Sequence, residues 1–198
     1  MGMMRVVCFG GILGFVLFFL YDINSVVWKK KALYGSFAAG CICVAVSTCL
    51  LAWKSLLKGG LVYGGILLLA AAFLFFCLLV YTLFFALPFH DTYQEFKEKS
   101  GVCDTGVYGL CRHPGVLWFF FFYLFAGLAL ENRWLLAGGM IFSFCNLCYV
   151  LFQDHWSFPK QFENYDEYKQ QVPFLVPNRS SIKKCLGGKK DERGGTAR

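Results

Sequence analysis

Five long apolar runs constrain the fold of this chain more than any other feature of its sequence. They contain no Asp, Glu, Lys or Arg, and they cover residues 6–21, 33–53, 61–87, 116–130 and 134–152. A helix needs about 20 predominantly apolar residues to cross a bilayer. Hydrophobic residues make up 58% of the chain and charged residues only 16%, whereas a soluble domain is about half apolar and about a quarter charged. The runs therefore predict an all-α integral membrane bundle of five transmembrane helices.

The first run has an alternative interpretation as the core of a secretory signal peptide, because Arg5 precedes it. However, residues 20–24 offer no cleavage site with small residues at the usual spacing. We therefore expect the first run to be a retained transmembrane helix.

The Lys and Arg residues are divided unequally between the two sides of such a bundle. With five spans, one side carries 15 of the 19, and the other carries four: Arg5, Lys54, Lys58 and Arg133. Cytoplasmic loops are enriched in these residues. We expect the N-terminus outside and the C-terminus in the cytoplasm, in the cell membrane of a bacterium or the endoplasmic reticulum of a eukaryote.

The chain divides into one membrane domain, residues 1–177, and a basic tail, residues 178–198. The tail is rich in Lys, Arg, Gly and Ser, and its composition predicts disorder. Its charge favours anionic membrane lipids as partners. No base-reading module accompanies this charge, so we do not expect a nucleic-acid partner.

Ten cysteines do not predict disulfide bonds or a metal site, because most of them lie inside the apolar runs, where Cys behaves as a small hydrophobic residue. Cys145 and Cys148 form a CxxC pair in the middle of the last run, with no second pair or His cluster nearby. We expect no metal.

Ionisable residues lie at the entrance of the fourth run, in a segment that we call the neck. The neck, residues 106–114, reads Gly-Val-Tyr-Gly-Leu-Cys-Arg-His-Pro. Ionisable groups at the end of a membrane helix are costly and mark functional sites. The neck is therefore the first candidate for a ligand site.

The fourth and fifth runs are joined only by residues 131–133, which forces an antiparallel helical hairpin. The far ends of the hairpin return to the same side of the membrane, so the neck should lie close to Asp154. Aromatic residues at 162, 165 and 168 then recur every three positions, and Pro159 would lie near the first turn of a helix that contains them. This spacing predicts a short cytoplasmic helix at the membrane interface.

The order G-x-Y-x-x-x-R-H-P, an apolar hairpin, an acidic residue and F-x-x-Y-x-x-Y-x-x-x-V-P resembles the isoprenylcysteine carboxyl methyltransferase family. Membrane phospholipid methyltransferases share related features. The resemblance covers residues 100–177. It implies a methyltransferase that uses S-adenosylmethionine and methylates a lipophilic or small acceptor, such as a carboxylate, a lipid amine or a thiol, which can be part of a lipidated substrate.

The resemblance also implies a set of site residues. The implied catalytic residues are Arg112, His113 and Asp154. The implied cofactor-binding residues are Ser100, Gly101, Val102, Cys103, Tyr108, His113, Pro114, Gly115, Val116 and Asp154. An aromatic ring such as that of Tyr108 can face a cationic methyl–sulfur group, and a carboxylate can pair with the cofactor's ammonium group or ribose hydroxyls.

The chain departs from the family pattern at Val116, Val150 and Gln153, where a tyrosine, a substrate-contacting arginine and a glutamate are usual. Two alternatives therefore stay open. One is a membrane reductase of the sterol or steroid type, which would use NADPH. The other is a non-catalytic family member that serves as a membrane scaffold.

Overall fold

The computed structural model describes residues 2–58, 63–86 and 106–187, and these residues form helices and turns without a β-strand. The long helices are α1 (Gly2–Ile23), α2 (Ser36–Lys58), α3 (Gly65–Phe84), α5 (Pro114–Ala129) and α6 (Arg133–Phe152). The short helices are α4 (Val107–Leu110), α7 (Phe158–Gln161), α8 (Tyr165–Gln171) and α9 (Arg179–Gly187). The all-α prediction is confirmed for the described residues.

Four of the long helices, α1, α2, α3 and α6, are long and apolar enough to cross a membrane. Helix α5 is equally apolar but has only 16 residues. Pro114 limits its start, because proline fits only the first turn of a helix. Its end is limited by Glu131, whose φ of 46° takes the backbone out of the helical region. Membrane character is thus supported by four helices, and the fifth crossing stays a prediction.

Helices α1 and α2 approach each other closely at Gly14 and Gly40. A Cβ atom added to Gly40 would lie 2.7 Å from the carbonyl oxygen of Gly14, and one added to Gly14 would lie 2.8 Å from that of Gly40. Small residues allow this backbone contact, which is a common way for membrane helices to pack. The pair joins the first two helices into one antiparallel unit.

Helix α6 is central and runs parallel to α1. Near its start, Asn132 donates a hydrogen bond to the Leu51 carbonyl oxygen of α2 at 2.8 Å. In the middle, the fully buried Phe142 contacts Phe15 of α1, and further along Tyr149 packs on Phe18. The ends of α1 and α6 therefore lie at the same end of the bundle.

Helix α5 lies antiparallel to both α6 and α3. Phe75 of α3 stacks on Phe121 and Phe125 of α5, while Thr82, near the end of α3, faces Gly115 at the start of α5. The neck, the end of α3 and the segment after α6 consequently meet at one end of the bundle.

The segment after α6 differs from the single short helix that the aromatic spacing predicted. A π-helical turn, Gln153–Ser157, continues α6 into α7. The backbone is then extended at Phe162, with φ −115° and ψ 137°, before α8 begins. The break allows Phe162 to pack against Phe158 and leaves Tyr165 and Tyr168 buried against the bundle.

The first part of the segment predicted as a disordered tail is helix α9. Asn178 starts it by accepting a hydrogen bond from the Ser181 backbone N–H at 2.8 Å, the arrangement that favours a helix N-terminus. Helix α9 packs against α4 of the neck. Residues 188–198 lie outside the described residues.

Candidate functional site

The backbone of the neck follows directly from its glycine and proline. Gly106 has φ 59° and ψ −132°, a region that side chains strongly disfavour, and it starts α4. The ring of Pro114 disfavours helical backbone angles for the preceding residue, His113. His113 accordingly has φ −127° and ψ 60° and is the N-cap of α5. The neck thus turns sharply at both ends and presents its Arg and His side chains between them.

The carboxylate of Asp154 lies at the centre of the site and is 1% exposed. Its Oδ1 accepts from Tyr165 Oη at 2.7 Å and from Arg112 Nε at 2.9 Å, and lies 3.3 Å from His113 Nε2. Its Oδ2 lies 3.2 Å from Lys169 Nζ and 3.3 Å from Arg112 Nη2. Four side chains therefore bind this one carboxylate, and two of them carry a positive charge.

Arg112 also binds the backbone of α8 and of the residues that follow it. Its Nη1 donates to the carbonyl oxygens of Lys169 at 2.9 Å and Val172 at 2.7 Å, and its backbone N–H donates to that of Pro173 at 2.9 Å. The guanidinium also lies 5.6 Å from the ring centroid of Phe174. Arg112 is a buried connector between the two segments, rather than a surface residue that reaches for lipid headgroups.

His113 is enclosed between two aromatic rings. It stacks on Phe158, with centroids 5.9 Å apart, and meets Phe174 edge to face at 5.1 Å. Burial, together with the charges of Arg112 and Lys169, lowers the pKa of His113, although Asp154 opposes the shift. The imidazole is therefore neutral at neutral pH. Because a carboxylate can only accept, Nε2 carries the proton in its contact with Asp154.

Tyr108 links the neck to α3 and to α8. Its hydroxyl donates to the Thr82 carbonyl oxygen at 2.8 Å, and its own carbonyl oxygen accepts from Tyr168 Oη at 2.7 Å. The geometric prediction that the neck and the segment after the hairpin lie together is confirmed by these contacts and by those of Asp154.

The other implied cofactor-binding residues occupy different positions. Pro114 and Val116 are buried inside the bundle, and Gly115 faces Leu79 and Thr82 of α3. Val150, at the position of the family's substrate arginine, is buried in the core. Four implied residues lie outside the described part of the chain: Ser100, Gly101, Val102 and Cys103.

The sequence prediction missed a second buried acid at this end of the bundle, Asp22 of α1. It is 3% exposed, and its carboxylate accepts hydrogen bonds from Gln153 and Tyr149. Gln153 also donates to Tyr149 Oη at 2.9 Å. Oδ2 of Asp22 has no hydrogen-bond partner among the described residues. The available signal was that Asp22 is the one acidic residue among the first 90.

Two grooves lie elsewhere on the bundle. One, of about 310 Å³, is between α3 and α5, and the other, of about 380 Å³, is between α1 and α6. Neither is lined by a neck residue. Within residues 2–58, 63–86 and 106–187, no group of three His, Cys, Asp or Glu side chains is placed to hold a metal ion.

No protein-family model, curated protein or solved structure matches this chain. What the site can do therefore depends on its own atoms. These are a buried carboxylate held by two cations, a neutral histidine between aromatic rings, and a second buried carboxylate with one oxygen unbonded by the described residues.

Proposed function

We propose that the protein is a membrane-embedded methyltransferase of the isoprenylcysteine carboxyl methyltransferase type. It would use S-adenosylmethionine and methylate a carboxylate, a lipid amine or a thiol on a lipophilic or small acceptor. The observation that carries the proposal is the direct contact between the two halves of the motif. Arg112 and His113 reach Asp154 across 42 and 41 residues of sequence. Three of the residues that the resemblance assigns to the site, Arg112, His113 and Asp154, are thus neighbours in space.

We infer that five helices cross the membrane, with the N-terminus outside and the neck in the cytoplasm. The alternating directions of the five long helices and the division of Lys and Arg support this topology. Helix α5, at 1.5 Å per residue, would span about 24 Å, so a locally thin bilayer or the flanking turns would cover the remainder. The cytoplasmic side is where a water-soluble cofactor can enter, and there α7 and α8 would lie at the membrane interface.

The ammonium group of the cofactor can take the place of Lys169 at the site. Lys169 is the most exposed of the charged partners of Asp154, with 28% of its side chain accessible. The ammonium group of the cofactor can replace it on Oδ2 without leaving the carboxylate unpaired. Oδ2 of Asp22, which no described residue hydrogen-bonds, lies on the acid that Gln153 contacts and is a second acceptor for an ammonium or hydroxyl group.

When bound, S-adenosylmethionine supplies a methyl group on a positively charged sulfur. The residues of the chain mainly provide proximity and orientation. Asp154 fixes Arg112 and His113, the ring of Tyr108 offers an aromatic face that suits a cation, and the apolar bundle excludes water. A carboxylate acceptor needs no base. A thiol or amine acceptor must lose a proton, and neutral His113 is the neck residue able to accept it.

A non-catalytic scaffold is the second candidate, because one observation favours it. Every oxygen of Asp154 and every guanidinium nitrogen of Arg112 is already bonded within the protein. In this reading, the network only locks the neck to the segment after α6. The two candidates differ in whether the site binds the cofactor.

Calorimetric titration of the purified full chain in detergent tests the proposal. We expect S-adenosylmethionine to bind to the wild type and to Asp166→Asn, whose side chain is exposed on α8, and we expect Asp154→Asn to lose binding. If the folded wild type does not bind S-adenosylmethionine at millimolar concentration, the methyltransferase proposal is wrong. If a folded Asp154→Asn variant binds the cofactor as tightly as the wild type does, Asp154 does not contribute to cofactor binding.

A further inference from the structure

The groove between α1 and α6 lies at the end of the bundle opposite the neck. Its lining includes Arg5, Cys8, Ile12, Trp134, Ala137 and Ile141. The groove follows the first three turns of both helices, which run parallel here. It ends where Gly11 meets the ring of Phe142 and closes the space between α1 and α6.

The groove opens sideways, toward the region that lipid would occupy. Ala137 and Ile141 on its α6 wall are exposed, and so is Arg5 on its α1 wall. Its walls below Arg5 are apolar, and Ala137 leaves room because its side chain is a single methyl group. Within a bilayer, an open apolar groove with these walls is suited to a hydrocarbon chain.

Arg5 lies at the end of this groove where α1 begins, and no acidic side chain of the described residues forms an ion pair with it. No ion pair among the described residues includes Arg5, Glu131 or Arg133. The guanidinium of Arg133 lies 5.5 Å from the ring centroid of Trp134, and Trp134 lines the same groove. Arg5 and the Arg133–Trp134 pair therefore lie at the end of the groove where α1 and α6 begin.

We propose that this groove binds one acyl chain of a phospholipid whose headgroup has a net negative charge. The acyl chain would lie along Cys8, Ile12 and Ala137, and the headgroup phosphate would bind Arg5. A guanidinium pairs a phosphate through two parallel hydrogen bonds, and its positive charge favours a headgroup with a net negative charge over a zwitterionic one. The site is remote from the neck, so it is independent of the methyltransferase proposal.

Native mass spectrometry of the full chain, released from maltoside detergent, tests this site. The probes are dioleoyl phosphatidylglycerol and dioleoyl phosphatidylcholine, which have the same acyl chains and differ in net charge. For the wild type, we expect the first phosphatidylglycerol to bind roughly tenfold more tightly than the first phosphatidylcholine, the gain typical of one charge-assisted contact.

Three variants distinguish lipid binding in the groove from a general attraction of anionic lipid to the positively charged protein. Arg5→Gln should remove the preference for phosphatidylglycerol, and Ala137→Phe, which fills the groove, should weaken both lipids. Arg179→Gln, the same charge change on exposed α9 at the other end of the bundle, should keep the preference. Circular dichroism and a single elution peak establish that each variant is folded.

Three results would contradict the proposal that this groove is a lipid site. They are equal affinities of the wild type for the two lipids, a preserved preference in folded Arg5→Gln, and conversion of a dimer to a monomer by Ala137→Phe. The last would mean that a second copy of the chain, rather than a lipid, occupies the groove.

Discussion

Replacing Asp154 by asparagine tests whether charge holds the neck in place. The variant keeps the size of the side chain and one acceptor oxygen but removes the negative charge. Arg112, whose side chain is 9% exposed, would then keep a buried positive charge without its partner. Breaking a buried ion pair in this way typically costs about 3–5 kcal/mol.

The contacts place the expected cost at the lower end of that range. Arg112 retains its bonds to the carbonyl oxygens of Lys169 and Val172, and the partly exposed Lys169 ammonium can return to water. We therefore expect Asp154→Asn to lower the free energy of unfolding by about 3 kcal/mol. Asp166→Asn, an exposed acid on α8, should change it by less than about 0.5 kcal/mol.

Equilibrium unfolding of the full chain in mixed micelles of maltoside and dodecyl sulfate measures these differences. A double-mutant cycle with Arg112→Met isolates the pair. Because the second substitution removes the charge that the first leaves unpaired, we expect a coupling of about 2 kcal/mol, within the usual range for residues in one network. Strictly additive losses, or an Asp154→Asn variant as stable as Asp166→Asn, would refute the view that this pair holds the neck.

Two further predictions concern pH and backbone contact. The lowered pKa of His113 means that, below about pH 6.5, the unfolded chain binds a proton that the folded chain resists. His113 should therefore contribute a loss of stability as pH drops below that value, of at most about 1.4 kcal/mol per pH unit. The wild type should lose more stability over this range than His113→Gln, and as much as His155→Gln, whose substituted residue is exposed. Gly40→Ala places a methyl group 2.7 Å from the Gly14 carbonyl oxygen and should cost about 2 kcal/mol in the same unfolding assay. Gly35→Ala meets nothing within 4 Å and should cost less than about 0.5 kcal/mol; equal losses would contradict the close packing of α1 on α2.

Hydropathy predicted the long helices well, because a charge-free apolar run has few alternatives in a membrane. The last run was expected at residues 134–152, and α6 is Arg133–Phe152. The aromatic spacing was less informative. It predicted one helix through Phe162, where the structure has an extended residue, because the packing of Phe162 on Phe158 outweighed local periodicity.

The candidate site was predictable to the extent that loop length determines it. A three-residue connection brings the ends of α5 and α6 together, so the neighbourhood of Arg112 and Asp154 followed from sequence alone. The contributions of Tyr165 and Lys169 did not, because they depend on how α8 turns back on the neck. Nor did the pairing of Arg112 with the carbonyl oxygen of Val172, which requires a particular path of the backbone after α8.

The sequence by itself determined that this chain is helical and apolar, and that its ionisable neck lies beside the acid after α6. These are consequences of run length, composition and connection length, which are local properties of the chain. Only the tertiary structure decided that four side chains bind Asp154 and that Asp22 reaches Gln153 with one carboxylate oxygen unbonded by the described residues. The partners of a buried charge come from segments that are distant in sequence. Their identity therefore depends on packing and cannot be inferred from the residues that are adjacent to the charge in sequence.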